Sequence, residues 1–255
     1  MTKPIHTRTS VCPYDCPDAC GLVLTIEGDQ LQRVQGMKTH SFTRGTLCQK
    51  MQYYERTVHH RERLTTPLRR IGPKGSGQFK PITWDEALEE IAQQFQHCIH
   101  TYGSESIMPY SYAGTMGILQ KSAGDPLFAI LGATRQDKGI CSPAKRYGWA
   151  SLMGNTLGNR PQDIQHSDCV VLWSLNAVAT DVHVLHDVTI ARQRGAKLWV
   201  IDTYYTETAK LADEVIIIRP GTDGAFALGV AYVLVEEGLV HEEFIHQYVQ
   251  GYEGF

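Results

Sequence analysis

Three cysteines at every fourth position, Cys12-Pro-Tyr-Asp-Cys16-Pro-Asp-Ala-Cys20, followed by a fourth at Cys48, constrain this chain more than any other feature. Prolines between the thiols keep such a stretch from closing into regular helix, so it must be an irregular loop. The chain then has to turn back to bring Cys48 to that loop. Gly21–Glu27 and Gln30–Gln35, flanking Gly28-Asp29, have the form of a β-hairpin that does so. A small β-rich module over residues 1–60 is the expectation.

The seven cysteines are an odd number, and four of them lie in the first fifth of the chain, which suits metal ligation in a reducing compartment better than a disulfide framework. With 42% hydrophobic and 20% charged residues in 255, the composition is that of an ordinary globular chain. A net charge of −3 offers no basic stripe for a phosphate backbone, so nucleic acid is not an expected partner. The first ten residues hold no apolar signal core, and the longest later apolar run is broken by Gly229. A cytoplasmic chain without a membrane span follows as the expectation.

Residues 61–82, rich in Arg, Pro and Gly, have no sustained periodicity and read as a connecting segment. Thr83-Trp-Asp-Glu86 has the pattern of a capping box. Leu88, Ile91, Ala92, Phe95, Cys98 and Ile99 then recur at helical spacing, placing Cys98 on a buried stripe. Beyond it, candidate strands at 106–112, 168–174, 197–203 and 214–219 alternate with helical segments near 117–131, 181–194 and 223–237. Apolar strands alternating with helices predict a doubly wound, mainly parallel α/β domain over residues 83–255.

Four thiolates, three from one loop and one returning, suit a [4Fe–4S] cluster with one ligand per iron. Structural zinc also accepts four thiolates, but commonly from two short knuckles. A radical-type loop that binds an adenosyl cofactor has the spacing C-x3-C-x2-C, one residue shorter than the second gap here. On spacing alone the cluster leads and zinc stays open.

The triplet CPYDCPDAC, the returning Cys48-Gln-Lys50, the segment TPLRRIGPKGSGQFKPITWDEALEEIA and the later GAKLWVIDTYYTETAKLADEVIIIRPGTDGA occur in the order found in the bis(molybdopterin guanine dinucleotide) oxidoreductases. The chain resembles the N-terminal part of that family, which includes formate dehydrogenases, nitrate reductases and dimethyl sulfoxide reductase. The resemblance implies a [4Fe–4S] cluster on Cys12, Cys16, Cys20 and Cys48, and molybdopterin guanine dinucleotide carrying Mo or W. It implies two-electron redox chemistry on a small-molecule substrate, with Lys50 assisting electron passage between cluster and pterin. An ammonium there would also offset the negative charge of four thiolates.

Further roles follow from the resemblance at the strand ends. Asn176 donates to a phosphate or holds its turn, Asp202 meets ribose hydroxyls, and Asp223 reads guanine or, with Thr222, caps the following helix. Where the family has Asp-Pro-Arg this chain has Asp202-Thr203-Tyr204, and Thr203 and Thr206 offer hydroxyls in place of the arginine. Cys141 occupies the stretch that supplies a protein ligand to the metal, with Ser142 as its rival. Ser142 also stands where formate dehydrogenases have histidine, which counts against formate. Family chains are considerably longer, so the expectation is a chain incomplete at its C-terminal side, or one completed by a redox partner or subunit. The alternative function is a non-catalytic iron–sulfur electron carrier or assembly subunit.

Overall fold

The computed structural model describes residues 3–112, 114, 117–137, 139, 142–155 and 157–254. They fall into two units, residues 1–34 with 53–138 and residues 35–52 with 139–255.

In the first unit, β1 (Ile5–Val11), β2 (Gly21–Glu27) and β3 (Gln30–Gly36) form an antiparallel sheet in chain order, β3 running on past the unit's end at residue 34. The β1–β2 register runs from Ile5 opposite Glu27 to Val11 opposite Gly21. The predicted hairpin turn is present, with Gly28 at φ 57, a backbone that glycine adopts without a Cβ penalty. The short α1 (Tyr54–Val58) follows, then β4 (Leu68–Arg70) and β5 (Phe79–Pro81), an antiparallel ribbon inside the segment that carried no periodicity. Three-residue strands are too short for alternation to show, and the ribbon is made by its turn, where Gly75 and Gly77 take φ 89 and 68.

Helix α2 (Trp84–Tyr102) starts at the predicted capping box. The Glu86 amide donates to Thr83 Oγ1 (3.1 Å), and the Thr83 amide donates to Glu86 Oε2 (2.7 Å). That backbone bond, then the Thr83 side chain, holds the Glu86 carboxyl below its ordinary range. The helix buries no residue fully: Cys98 is half-buried, and Trp84, Leu88 and Ile91 are exposed. The strand expected at 106–112 does not form. The Thr134 amide donates to the Ile107 carbonyl and the Ser111 amide to Gln136 Oε1, single bonds rather than a ladder. Two short helices, α3 (Ile118–Ser122) and α4 (Asp125–Ile130), occupy the expected helical stretch.

The second unit holds α5 (Ser142–Met153) and then a parallel sheet of β6 (Cys169–Trp173), β7 (Lys197–Asp202) and β8 (Glu214–Ile217), in that order. Helices α6 (Ala177–Thr180) and α7 (Val184–Gln193) connect β6 to β7, and α8 (Asp223–Glu236) and α9 (Glu242–Tyr248) follow β8. Alternation sets the packing: Val170, Leu172, Leu198 and Val200 point into a core with Val184, Val188 and Ala191 of α7, while Cys169, Val171 and Trp199 point to the exposed face. This is a mixed α/β fold, with a small antiparallel sheet first and a parallel sheet later. Among the described residues no helix is long and apolar enough to cross a membrane.

Candidate functional site

The cysteine triplet forms the loop joining β1 to β2. The Cys12 amide donates to the Cys20 carbonyl (2.8 Å), closing the loop one step beyond the last ladder pair. Ala19 takes φ 44, and the Tyr14 ring meets Tyr54 of α1 edge-on at 5.8 Å, so the loop is braced by strand, backbone and ring. Cys20 is buried and Cys12 and Cys16 are half-buried. No disulfide joins any of the six described cysteines, which leaves thiols able to bind iron. Among the described residues, no three thiol, imidazole or carboxyl groups converge closely enough to hold a metal ion. Free thiols in the spacing of this loop fit an iron–sulfur cluster by donor chemistry.

Cys48 belongs to the second unit, where the Met51 and Gln52 amides donate to its carbonyl (3.0 and 3.2 Å) and make it the first residue of a turn. Lys50 lies on that turn, exposed and without hydrogen bond or ion pair among the described residues. Its ammonium is available to an anionic neighbour.

Because β6, β7 and β8 are parallel, the segments following Trp173, Asp202 and Ile217 emerge at one edge of the sheet. Such carboxyl edges are where doubly wound sheets take dinucleotides. Ser174 turns the chain there at φ 51, a left-handed backbone that favours glycine. Asn176 Oδ1 accepts from Thr208 Oγ1 (2.8 Å), which itself accepts from the Val178 amide (3.0 Å). Asn176 thus holds its turn through the oxygen and keeps its amide nitrogen to donate outward. Both of its expected roles are compatible with that arrangement.

Asp202 is buried, and its Oδ1 accepts from the Thr203 amide (2.7 Å) and hydroxyl (3.5 Å), so carboxylate and Thr203 form one closed turn. Thr206 is buried and accepts from the Ala209 amide (3.1 Å), which engages it in the fold rather than as an outward donor. Thr222 stands at the start of α8 without a side-chain capping bond, its hydroxyl donating instead to the Arg219 carbonyl (2.7 Å). Asp223 Oδ1 accepts from the Trp173 indole N–H (2.8 Å) and the Ser174 hydroxyl (3.5 Å). Its second oxygen takes no hydrogen bond among the described residues. Gly221, at φ 81, has nothing within 4 Å of where a Cβ would stand, so the backbone beside Asp223 is open. The half-buried Asn176 amide, a half-engaged carboxylate and open backbone at one edge fit a nucleotide.

Cys141 lies outside the described residues; its rival Ser142 is the exposed first residue of α5. Sequence reasoning missed Thr208, a buried hydroxyl that no local pattern distinguishes, and the Trp173–Asp223 pairing. For the latter a tryptophan closing a strand, where an indole N–H needs a partner, was the available signal.

Two family models match the chain. One, described as the molybdopterin oxidoreductase Fe4S4 domain, covers residues 5–60, and the other, described as molybdopterin oxidoreductase, covers residues 63–248. A probable oxidoreductase of Bacillus subtilis (strain 168), YoaE, is 40% identical over 245 residues, 96% of this chain and 36% of the relative. The dimethyl sulfoxide reductase DmsA of Escherichia coli (strain K12) is 33% identical over 269 residues, 96% of this chain and 32% of the relative. Among solved structures, an acetylene hydratase from Pelobacter acetylenicus superposes with a TM-score of 0.71 at 25% identity, over 94% of this chain and 33% of that one. The chain thus spans about a third of the length of the relatives it matches.

Proposed function

This chain belongs to the molybdopterin oxidoreductase family, and from that premise we propose that it carries the iron–sulfur and first dinucleotide-binding parts of an enzyme performing two-electron redox chemistry on a small molecule. The observation that carries the proposal is the ordered pair of matches, an iron–sulfur domain over the cysteine loop followed by an oxidoreductase domain over the strand-end loops. Cys12, Cys16, Cys20 and Cys48 would hold a [4Fe–4S] cluster, which supplies one-electron exchange, and the charge of Lys50 would assist electron passage between cluster and pterin.

Molybdopterin guanine dinucleotide, when bound, supplies a Mo or W centre able to exchange two electrons with substrate. The chain's own residues bind and orient. Asp223, its Oδ1 held by Trp173, presents the other oxygen to the N–H edge of guanine. The Asn176 amide would donate to phosphate, and Asp202 holds the Thr203 turn in shape through the Thr203 amide and hydroxyl. Lys50, two residues after Cys48, would offset the negative charge of a four-thiolate cluster site. Cys141 would complete the metal's coordination, with Ser142 beside it or no protein ligand as the alternatives. The strand-end loops stand to supply affinity, and the cysteine loop an outlet for electrons.

Metal and pterin analysis of anaerobically purified protein tests the proposal. About four irons per chain together with stoichiometric Mo or W and pterin is the expected result. Iron alone would favour the non-catalytic electron carrier. Zinc in place of iron would overturn both.

A further inference from the structure

The segment carrying Cys48 and Lys50 is docked on α7 by groups to which the proposed function gives no task. His183, at the N-terminal end of α7 and 4% exposed, contacts the Thr46 carbonyl through Nε2 at 3.0 Å. A carbonyl only accepts, so that ring nitrogen is the donor. The Phe42 ring lies against the same imidazole, with centroids 6.0 Å apart. One helical turn on, Asp187 is 1% exposed, and its Oδ1 meets the Arg44 guanidinium at 3.4 Å, while its Oδ2 is buried without a hydrogen-bond partner among the described residues.

The docked segment is itself stiff. Thr43 is buried, with its amide and hydroxyl on His40 Nδ1 (3.1 and 3.0 Å), and the Thr46 amide donates to the Thr43 carbonyl (2.8 Å). A Cβ on Gly36 would fall 2.3 Å from the Gly45 carbonyl, so the two arms of the segment touch backbone to backbone. Thr46 is two residues before Cys48, whose carbonyl starts the turn bearing Lys50. A fixed path therefore runs from α7 through Thr46 to the thiol and the ammonium.

We infer that His183 and Asp187 are positioning residues that set where Cys48 and Lys50 stand, and so govern how firmly the cluster is held and at what potential it is reduced. The inference rests on the reading of Cys48 as a cluster ligand. Groups behind metal ligands act this way because a thiolate's orientation and the charge near it tune the metal they hold. The arrangement has an electrostatic logic as well. Asp187 is a buried carboxylate whose one observed cation comes from the docked segment, so undocking would leave that charge uncompensated. Asp187 thus selects the docked form of the segment, and His183 fixes its register at Thr46.

The test uses anaerobically purified holoprotein of the wild type and of His183→Leu, His183→Gln, Asp187→Asn and Val188→Ala. Three quantities are measured: iron per chain, the midpoint of cluster reduction followed by electron paramagnetic resonance, and the rate at which a chelator bleaches the visible cluster band. His183→Leu and Asp187→Asn are expected to bleach on the order of 10-fold faster and to move the midpoint. His183→Gln, which keeps an N–H donor, should stay near the wild type. Val188→Ala opens the core that α7 shares with β6 and β7, and should lower thermal stability while leaving midpoint and bleaching rate unchanged. If His183→Leu does not accumulate, Arg44→Gln, at a partly exposed side chain, gives the same reading. Bleaching rates and midpoints of wild-type value in the His183, Asp187 and Arg44 variants would overturn the inference with the cluster reading intact, as would a Val188→Ala effect of equal size. A wild-type protein without a cluster band would overturn that reading and the inference together.

Discussion

Asp213 is the residue through which acidity bears on the parallel sheet. Its Oδ2 accepts from the Leu198 amide (2.8 Å), its Oδ1 from the Arg192 guanidinium (3.0 Å), and its own amide donates to the Leu198 carbonyl (2.8 Å). The bond from Leu198, then the arginine, holds the carboxyl below its ordinary range. With the folded value depressed, this contribution is complete above the unfolded pKa of about 4 and is lost as pH falls through the lower folded value. Asp213→Asn should therefore lower stability at neutral pH and flatten the acid limb of the profile, measured as urea midpoints between neutral and acid pH. Curves that stay parallel would refute this. Trp173 matters in a different way, because it occupies one oxygen of Asp223 and thereby aims the other. Trp173→Phe should reduce the guanine nucleotide released on acid denaturation while iron per chain stays unchanged. The cysteines and the strand-end carboxylates were legible from the sequence because their chemistry is local to a motif. Trp173 with Asp223, and His183 with Thr46, were not, because each pairing is made by the return of distant chain and leaves no spacing to read.

At the scale of elements, a helix announces itself by cap and period, but its cover does not. The capping box of α2 was readable from Thr83 and Glu86 alone, and Thr83→Ala should cost about 1 kcal/mol of stability by leaving the Glu86 amide without its acceptor. Thermal unfolding checks the size, and Thr83→Ser should recover most of it. The apolar stripe on the same helix is equally periodic, yet Trp84, Leu88 and Ile91 are exposed, since periodicity specifies a face and says nothing of what packs on it. The strands divide in the same way. β6, β7 and β8 lie where apolar runs placed them, because Leu198 and Val200 have α7 to bury against. Residues 106–112 include two serines and Pro109, which has no amide to give a ladder, and they form none among the described residues; Ile107 and Ser111 make single bonds with Thr134 and Gln136 instead. Leu198→Ala, at a side chain 1% exposed, should cost roughly 2–5 kcal/mol. A smaller loss would mean that the sheet collapses onto the cavity.

For the whole molecule, the proposed cluster would act as a cross-link as well as a redox site. A cluster on Cys12, Cys16, Cys20 and Cys48 ties the loop before β2 to a residue beyond β3, and so restricts the unfolded chain over the interval from Cys20 to Cys48. Ligation and folding are then linked, because thiolates scattered in an unfolded chain do not present a preformed site. Cys48→Ser should abolish the visible cluster absorption and lower the melting temperature of the iron-loaded protein, and the wild type stripped of iron should melt at the same lowered temperature. Cys98→Ser on α2 and Cys169→Ser on β6 provide the comparison, since neither thiol lies in the loops that carry the proposed ligands. Both should keep the absorption band and the iron-dependent part of the melting temperature. An unchanged spectrum in Cys48→Ser would remove that residue from the ligand set and leave the loop of three cysteines to seek its fourth partner elsewhere. Loss of the band in Cys98→Ser or Cys169→Ser would place that partner on α2 or on β6.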